Sequence, residues 1–500
     1  VSDSQSQFKA TLDRCCRKKI ALHERSQVDE IIDVLKNEKF IVEKVIRSQR
    51  KRQPWAPFTT SSLQQDASSK LGFTSRKTMS IAQQLYEGIN IGSGETVGLV
   101  TYIRTDSTRV STQVQEEARA FIAGKYGADF VPDKPPVYKS RTSAQEAHEA
   151  IRPTSVGREP ELIQQYLTRD QQRLYNLIWS RFLASQMSPA VHDQIRVLIN
   201  AGNFTFKAVG STLRFSGFLK LYQIETQEKE TILPDMEEQQ ELTLREFLPE
   251  QHFTQPPSRY NEASLIKTLE EKGIGRPSTY SPTIETIQSR GYVIKENKSF
   301  VPTELGFVVV ALIVSYFPEV IDIDFTANLE QQLDDIEEGK REWLAVIRDF
   351  YDGYFKEQLS VAEQKIVKIE IEPEVSDQLC PQCGKQLIYK RGRFGLFLAC
   401  PGYPDCKYTQ KIVKETGVVC PLDGGALVER KTKKGRIFYG CSNYPACNFS
   451  LWNKPLSAKC PRCESIMTEV WRGKKKVSRC LNKDCGYEPT MTPRKTVKES

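Results

Sequence analysis

Long apolar runs are missing from this chain of 500 residues. It has no stretch of about 18 consecutive apolar residues, which excludes a membrane-spanning helix. The opening residues, VSDSQSQFKATLD, contain neither a basic nor an apolar segment, so we expect no secretory signal; because they begin at Val1, we expect a fragment of a longer protein. A Walker loop is missing too, and NIGSGETVG fits no dinucleotide motif, so the sequence predicts no nucleotide site.

Cysteine is scarce in most of the chain and acidic residues are scarce at its end. Eleven of the 13 cysteines follow residue 379, and Cys380, Cys420 and Cys460 begin units that repeat every 40 residues. From Cys380 to Ser500 there are 24 Lys and Arg against 9 Asp and Glu. This basic tail indicates a polyanionic partner, although a solvated, disordered tail would have the same composition. Disulfides require an oxidising compartment, to which nothing in the sequence directs the chain, so metal binding is favoured over disulfides.

The first and third units have the cysteine spacing of four-sulfur zinc sites. The eight cysteines are Cys380, Cys383, Cys400 and Cys406 in unit one, and Cys460, Cys463, Cys480 and Cys485 in unit three. Two thiolate pairs close a tetrahedral, structural Zn²⁺ site without an open position, and the metal would stabilise a unit too small to fold by burial alone.

The second unit departs from this pattern. It keeps Cys420, Cys441 and Cys447, but Asp423 replaces the second cysteine. Aspartate can bind zinc, so a site of three sulfurs and one oxygen is one interpretation. The other, slightly favoured by the sequence alone, is a ribbon without tightly bound metal.

Aromatic and basic residues alternate between the cysteine pairs, in KRGRFGLFLAC, KTKKGRIFYGC and WRGKKKVSRC. Such a mixture is typical of single-stranded nucleic-acid binding, in which aromatic rings stack on bases and cations neutralise phosphates. The candidate DNA contacts are Phe397, Tyr439 and Trp471. The alternative is that these rings form the small cores of the ribbons.

Before the ribbons, the sequence predicts β-rich stretches over about 7–50 and 189–258, separated by helices that include SRKTMSIAQQLYEGI and a stop at Gly88. LVTYIRT predicts a short strand with Tyr102 and Arg104 on one face. A helix should follow from about Thr112, capped by Thr112 and Gln115. A tyrosine beside an arginine is most often a packing feature, so this pair alone predicts no chemistry.

Two further clusters stand out. SAQEAHEAIRPTS places Glu146, His148, Glu149 and Arg152 within about one predicted helical turn, where His148 would ordinarily be an exposed helix residue. The segment from 261 to 303 predicts a helix to about Lys272, a glycine turn, a helix over 281–290 and a hairpin turning at 296–297. This order is typical of a winged helix, in which the residues that lead into the second helix could bind a phosphate. The alternative is an ordinary αα-hairpin.

Taken together, the motifs resemble bacterial type IA DNA topoisomerases. The resemblance rests on APFTTSSLQQDASSKLGF, TYIRTDSTRVS, SAQEAHEAIRPT, EASLIKTLEEKGIGRPSTY, IQSRGYV and DFTANLEQQLDDIEEG, followed by zinc ribbons. It implies a multidomain α+β fold with a toroidal core. The implied domains are an arch (1–60 and 189–258), a tyrosine domain (61–188), a helical winged-helix-like domain (259–372) and ribbons at 378–412, 418–452 and 458–490, the second degenerate.

The resemblance also implies chemistry. Tyr102 would attack a DNA phosphodiester to give a 5′-phosphotyrosine link, with Arg104 offsetting charge on the phosphate and His148 nearby. Arg276, Thr279 and Arg290 would contact the DNA backbone. The covalent ester conserves the bond energy, so resealing needs no ATP, and the enzyme would relax negatively supercoiled DNA.

A Toprim domain with an acidic D-x-D-x-E cluster for Mg²⁺ precedes these motifs in the family, and this sequence has no such cluster. We therefore expect the full protein to be active and this chain alone to be inactive. The resemblance further implies a cytoplasmic, nucleoid-associated monomer that binds single-stranded or negatively supercoiled DNA and no membrane. Alternatives are a non-catalytic zinc-ribbon protein that binds single strands, or a type IA relative such as topoisomerase III or reverse gyrase.

Overall fold

The computed structural model describes residues 7–92, 94–138, 148–222, 231–366, 375–392, 395–412, 414–432, 437–472 and 475–488. The chain divides into two compact units, Val1–Lys368 and Ile369–Ser500. The predicted multidomain α+β fold with C-terminal ribbons is confirmed. Within the described residues no helix is both long and apolar enough to cross a bilayer.

The first unit mixes strands and helices. Its strands are β1 (Thr11–Cys15), β2 (Lys18–Lys19), β3 (Phe40–Arg52), β4 (Ile89–Asn90), β5 (Thr96–Val97), β6 (Ala190–Ala201), β7 (Phe204–Phe215), β8 (Glu241–Leu242), β9 (Val293–Glu296) and β10 (Ser299–Pro302). Its helices are α1 (Arg25–Leu35), α2 (Thr60–Asp66), α3 (Ser75–Glu87), α4 (Thr112–Tyr126), α5 (Pro160–Ile163), α6 (Arg169–Ser185), α7 (Glu262–Glu271), α8 (Tyr280–Ser289), α9 (Glu304–Tyr316), α10 (Pro318–Ile321), α11 (Ile323–Glu337), α12 (Trp343–Phe350) and α13 (Lys356–Lys365).

One six-stranded sheet joins the two β-rich stretches, in the order β2-β1-β7-β6-β3-β8. Strands β3 and β6 pair antiparallel from Ile41 opposite Asn200 to Arg52 opposite Ala190. Alternate residues of these strands point to one face and bury a core with Phe40, Val42 and Val197. The first stretch is not wholly β, because α1 lies within it, and no strand is found between β8 and residue 260.

The segment between β3 and β6 is helical and has its own core. Helix α6 is its centre, with Trp179 and Phe182 buried against residues of α2, α3 and α4. The hydroxyl of Thr74 caps α3 by accepting the Lys77 N–H, and α3 ends at Gly88, whose φ of 116° other residues rarely adopt. The predicted helices and their stop are confirmed.

The helical domain follows the predicted helix, turn, helix and hairpin order. Helices α7 and α8 and strands β9 and β10 enclose a small core of Ile266, Tyr280, Ile284 and Phe300. The hairpin turns at Asn297 and Lys298, both with positive φ. Asparagine tolerates that conformation better than most residues, which is why the turn falls there.

Three local predictions are wrong. LVTYIRT is not a strand: one bridge joins Val100 to Pro153, and the chain bends at Ile103 and Arg104. Proline has no N–H, so it cannot extend a ladder. The described residues 148–152 are not helical, and Glu146 lies outside the described residues. Helix α4 does begin at Thr112, but the residue before it is the N-cap and makes no side-chain cap.

The second unit consists of three small antiparallel sheets. Its strands are β11 (Val375–Leu379), β12 (Gln386–Gly392), β13 (Gly395–Ala399), β14 (Thr409–Lys411), β15 (Lys414–Val419), β16 (Ala426–Lys431), β17 (Ile437–Cys441), β18 (Ser450–Leu451), β19 (Lys454–Lys459), β20 (Ile466–Arg472) and β21 (Lys475–Cys480). The sheets are β11–β14, β15–β18 and β19–β21. The second and third pack together, since Ile466 and Leu481 of the third lie against the core of the second.

Candidate active site and metal centres

Three chain segments lie side by side around the predicted catalytic tyrosine. The Ile151 N–H donates to the Phe58 carbonyl at 2.7 Å, and the Thr101 N–H donates to the Arg152 carbonyl at 2.9 Å. The Thr101 hydroxyl also donates to the Ala150 carbonyl at 2.7 Å. These bonds fix the segment that carries Tyr102 to the one that carries His148.

Thr60, the first residue of α2, anchors the loop that follows Tyr102. It is fully buried. Its hydroxyl donates to the Ile103 carbonyl at 2.7 Å and accepts the Thr105 N–H at 2.9 Å, and its own N–H donates to the Thr105 carbonyl at 2.8 Å. The backbone on both sides of Arg104 is therefore held by one side chain.

Tyr102 is exposed on this fixed backbone. Its side chain is 43% exposed, whereas its neighbour Ile103 is 2% exposed. The ring packs edge-on against Tyr86, with centroids 5.6 Å apart, and at a tilt against His148, at 5.8 Å. Among the described residues its hydroxyl has no hydrogen-bond partner.

The structure brings Tyr102 and His148 into contact, and Arg104 follows Tyr102 by two residues in the same loop. Arg104 is exposed like Tyr102, with Ile103 buried between them, so both side chains lie on the outer side of the loop. No described residue forms a hydrogen bond or ion pair with Arg104. A free guanidinium beside an exposed phenol can accommodate an anion such as a phosphate.

Glu149 and Arg152 have a different role from their neighbour His148. The Arg152 guanidinium is buried and donates twice to the Glu149 carboxylate, at 2.5 and 3.0 Å. The other Glu149 oxygen accepts the Ser111 N–H at 3.1 Å, just before α4. This ion pair fixes the segment, which leaves the half-buried His148 ring facing Tyr102.

The helical domain docks against α2 and α3 through carboxylates. Glu262 is 2% exposed, and its oxygens accept the Ser75 N–H at 2.6 Å and the Lys295 ammonium at 2.6 Å. Glu270 accepts the Ser61 hydroxyl at 2.7 Å. A small polar pocket lies at this interface.
The pocket is lined by Thr59, Ser61, Thr105, Asp106, Glu270, Gly275, Arg276, Pro277 and Tyr280.

The three predicted DNA contacts of the helical domain differ in whether their side chains already bind other residues of the chain. The Arg276 guanidinium donates to both Asp334 oxygens, at 3.2 and 2.6 Å, and lies 3.6 Å from Glu330. Thr279 is exposed, and its hydroxyl bonds to the Arg276 backbone. Arg290 is exposed at the end of α8, and its side chain forms no hydrogen bond or ion pair with the part of the chain that the structure describes.

The eleven ribbon cysteines gather into three sets. In each ribbon the ligand atoms lie within 4.8 Å of one another.
The sets are Cys380, Cys383, Cys400 and Cys406; Cys460, Cys463, Cys480 and Cys485; and Cys420, Asp423, Cys441 and Cys447.
Sulfur pairs in the first and third sets are 3.2–3.8 Å apart. Tetrahedral zinc with Zn–S bonds of about 2.3 Å requires sulfurs about 3.8 Å apart, so the residues fit this metal. All thirteen cysteines are unbridged, which argues against the disulfide alternative.

Hydrogen bonding in the third ribbon favours a thiolate before metal is added. The side chain and N–H of Ser465 lower the pKa of Cys463 to about 6. Burial raises the pKa of Cys480 to about 12. Zinc must therefore displace a proton from Cys480 but little from Cys463 at neutral pH.

Among the ribbon side chains that the structure describes, the most exposed aromatic residues are not those that the sequence indicated. Phe397 is half-buried, Tyr439 packs against the core of the second ribbon, and the side chain of Trp471 lies outside the described residues. Tyr403, Tyr444 and Trp452 are instead 58–67% exposed. The two tyrosines lie in a repeated C-x-x-Y-P sequence, and Trp452 follows β18. A search for runs of basic and aromatic residues does not detect either position.

An exposed tyrosine on a helical segment inserted into a six-stranded antiparallel sheet, followed by cysteine ribbons, is the arrangement of a type IA topoisomerase. The chain belongs to the DNA topoisomerase family, which residues 3–348 match. Residues 377–415 and 417–456 match the topoisomerase DNA-binding C4 zinc finger. Among solved structures, the full-length topoisomerase I from Thermotoga maritima is similar, with 35% identity and a TM-score of 0.61 over 86% of this chain. The match spans 66% of that enzyme's length, so the chain covers slightly less than two thirds of it.

Proposed function

We propose that this chain supplies the nucleophile and the DNA-holding surfaces of a type IA topoisomerase. Such an enzyme cuts one strand, passes another through the gap and reseals the cut, relaxing negatively supercoiled DNA without ATP. The observation that carries the proposal is the exposed Tyr102 phenol on a buried, hydrogen-bonded backbone, beside His148 and two residues before Arg104, to which no described residue is paired.

In the proposed reaction, the Tyr102 oxygen bonds to the phosphorus as the bond from phosphorus to the 3′-oxygen breaks. The phenol loses its proton and the departing 3′-oxygen gains one. Negative charge builds up on the non-bridging oxygens, where the Arg104 guanidinium can stabilise it. His148 is close enough to Tyr102 to orient the phenol or contact the phosphate.

Magnesium belongs to the proposal through a Toprim domain. Among the described residues, the groups close enough to hold a metal are the three ribbon sets, and none is an acidic cluster suited to Mg²⁺. Mg²⁺ bound by a Toprim domain would position the DNA phosphate against Tyr102. We therefore propose that cleavage requires such a domain beside this chain.

The test traps the covalent adduct on a labelled single-stranded oligonucleotide by denaturation. A polypeptide with a Toprim domain joined ahead of this chain should form the adduct with Mg²⁺, and Tyr102→Phe should abolish it. Tyr86→Phe is the matched control, because it removes a neighbouring hydroxyl and should retain the adduct. Arg104→Ala should lower the rate about 10²–10³-fold.

An adduct that survives Tyr102→Phe would refute the assignment of the nucleophile. If no adduct forms while the oligonucleotide still binds, the chain is instead a non-catalytic binder of single strands. Robust plasmid relaxation by the 500-residue chain alone with Mg²⁺ would refute the requirement for Toprim.

DNA-backbone contacts in the helical domain form a second part of the proposal. Arg290 and Thr279 are exposed, whereas Arg276 would have to share its guanidinium with Asp334. We expect Arg290→Ala to weaken binding to all sequences alike and to reduce the salt dependence of log K by about one unit. Arg276→Ala should chiefly destabilise the loop between α7 and α8.

The ribbons are proposed to bind single strands by stacking. Tyr403, Tyr444 and Trp452 are the exposed rings, and the Arg430 guanidinium lies 5.3 Å from the Tyr444 ring. Each ring that stacks on a base should lose about 1–3 kcal/mol of binding on change to alanine. The predicted contacts Phe397, Tyr439 and Trp471 serve as the comparison in the same binding assay.

The proposed working form is a cytoplasmic, nucleoid-associated monomer that prefers single-stranded or negatively supercoiled DNA. Competition between a single-stranded and a duplex oligonucleotide of the same sequence tests the preference, and sedimentation of the complex tests the monomer.

A further inference from the structure

The second ribbon differs from the first at three positions that meet in space. Aligned on their cysteines, Asp423 stands where the first ribbon has Cys383, Gly425 where it has Lys385, and Asn443 where it has Gly402. The third ribbon has Cys463, Ser465 and Asn482 at these positions, so only the second ribbon combines a carboxylate with glycine and asparagine there.

The three substituted residues contact one another. The Asn443 side-chain amide donates to Asp423 Oδ2 at 3.0 Å, and the Gly425 N–H donates to Asp423 Oδ1 at 3.1 Å. A Cβ at position 425 would lie 2.7 Å from Asn443 Nδ2 and 2.9 Å from Cys441 Sγ. Only glycine leaves room for the amide that holds the carboxylate.

The cysteine sulfurs of the second ribbon are spaced like those of the other two ribbons. Cys420 and Cys447 sulfurs are 3.7 Å apart, compared with 3.8 Å for Cys460 and Cys485. The Asn443 N–H lies 3.4 Å from Cys441 Sγ, as the Gly402 N–H does from its cysteine in the first ribbon. Asp423 lies 3.2 Å from Cys441 Sγ and completes a fourfold set of ligand atoms.

We propose that the second ribbon binds Zn²⁺ through Cys420, Cys441, Cys447 and the Asp423 carboxylate, with Asn443 as the positioning residue for that carboxylate. Zinc accepts carboxylate oxygen as well as thiolate. Three thiolates and one carboxylate carry the same charge as four thiolates, so the charge balance of the site is preserved. The harder oxygen ligand makes this zinc the most readily exchanged of the three.

Asn443 matters because an outer hydrogen bond fixes the orientation of a metal ligand. Loss of such a bond typically weakens metal binding about 10–100-fold. The competing state is a metal-free ribbon in which the Cys441 thiol donates to Asp423, braced by Ile466 and Leu481 of the third ribbon.

The test measures zinc per 500-residue chain and the rate at which each ion passes to a competing chelator. Wild type should hold three ions, two released slowly and one quickly. Asp423→Ala should hold two. Asp423→Cys should hold three, with the third released as slowly as the others. Asn443→Gly should hold three, with the third leaving about 10–100-fold faster than in wild type.

Cobalt substitution gives an independent readout, since thiolate-to-cobalt charge-transfer absorption grows with the number of Co–S bonds. In the wild type, the third equivalent of Co²⁺ should add less of this absorption than each of the first two equivalents. In Asp423→Cys, the third equivalent should add as much as each of the first two. The control for folding transfers the three residues of the second ribbon into the first. The first ribbon with Cys383→Asp, Lys385→Gly and Gly402→Asn should retain zinc better than the first ribbon with Cys383→Asp alone.

Two zinc ions in the wild type, with no third cobalt equivalent, would overturn the proposal in favour of the metal-free ribbon. Three ions in Asp423→Ala with an unchanged third release rate would show that the carboxylate is not a ligand. An unchanged release rate in Asn443→Gly would remove the positioning role from Asn443.

Discussion

Replacing Thr60 by valine removes one buried hydroxyl while preserving the shape of the side chain. In the native chain this hydroxyl pairs with the Ile103 carbonyl and the Thr105 N–H, at 2.7 and 2.9 Å. Valine leaves both groups buried without that partner. An unsatisfied buried group costs about 1–3 kcal/mol, so the two together predict a loss of about 2–6 kcal/mol from the free energy of unfolding.

The loss should also affect the site, because the freed backbone flanks Arg104 and follows Tyr102. Urea unfolding gives the change in stability, and adduct yield per folded molecule, measured with a Toprim domain present, gives the effect on Tyr102. Thr60→Ser is the matched control: it keeps the hydroxyl and should keep the adduct. Wild-type stability and adduct yield in Thr60→Val would refute the anchoring role.

Three further outcomes are expected. Glu262→Ala should destabilise the first unit by about 2–4 kcal/mol in urea unfolding, because it leaves the Ser75 N–H and Lys295 without their acceptor, whereas no change would exclude Glu262 as a docking residue. Zinc removal by a chelator should unfold the ribbons and leave the unfolding transition of Val1–Lys368 in place, as circular dichroism can show. Alkaline pH should destabilise the first unit, because burial raises the pKa of three tyrosines above the ordinary 10.0 in the folded state. These tyrosines therefore lose their protons at lower pH in the unfolded chain than in the folded one, so the free energy of unfolding is full below pH 10 and falls as pH rises beyond it. Unfolding curves measured at several pH values test this.
These tyrosines are Tyr138, Tyr175 and Tyr222.

Short sequence signals predicted the correct element wherever the cause of that element was local. Gly88 ends α3 because of its own backbone freedom, and Asn297 turns the hairpin for a related reason. Helix α1 lies within the stretch predicted to be β-rich and was not predicted itself, although Val28, Ile31, Ile32 and Leu35 have helical spacing.

The tyrosine loop could not be predicted in the same way because distant residues determine it. Thr60 holds Ile103 and Thr105 across more than 40 residues of chain, and Pro153 stops the pairing that would have made a strand. Tyr102 and His148 meet through these contacts and through the bonds of Thr101 to Ala150 and Arg152, which join residues about 50 apart in the chain. The aspartate of the second ribbon was visible in the sequence, but its contact with Asn443 was not.

The pairing of Arg52 with Ala190 means that a helical insert of well over a hundred residues leaves and re-enters the sheet at neighbouring points. Bringing these points together across a long unstructured loop would be slow, because closure entropy rises with loop length and non-local pairing delays folding. An insert that is already compact, with its ends close, shortens the effective loop. The amides of the helical segment, which carries Tyr102, should therefore become protected from hydrogen exchange first. The pairing of the longest strands of the sheet should follow.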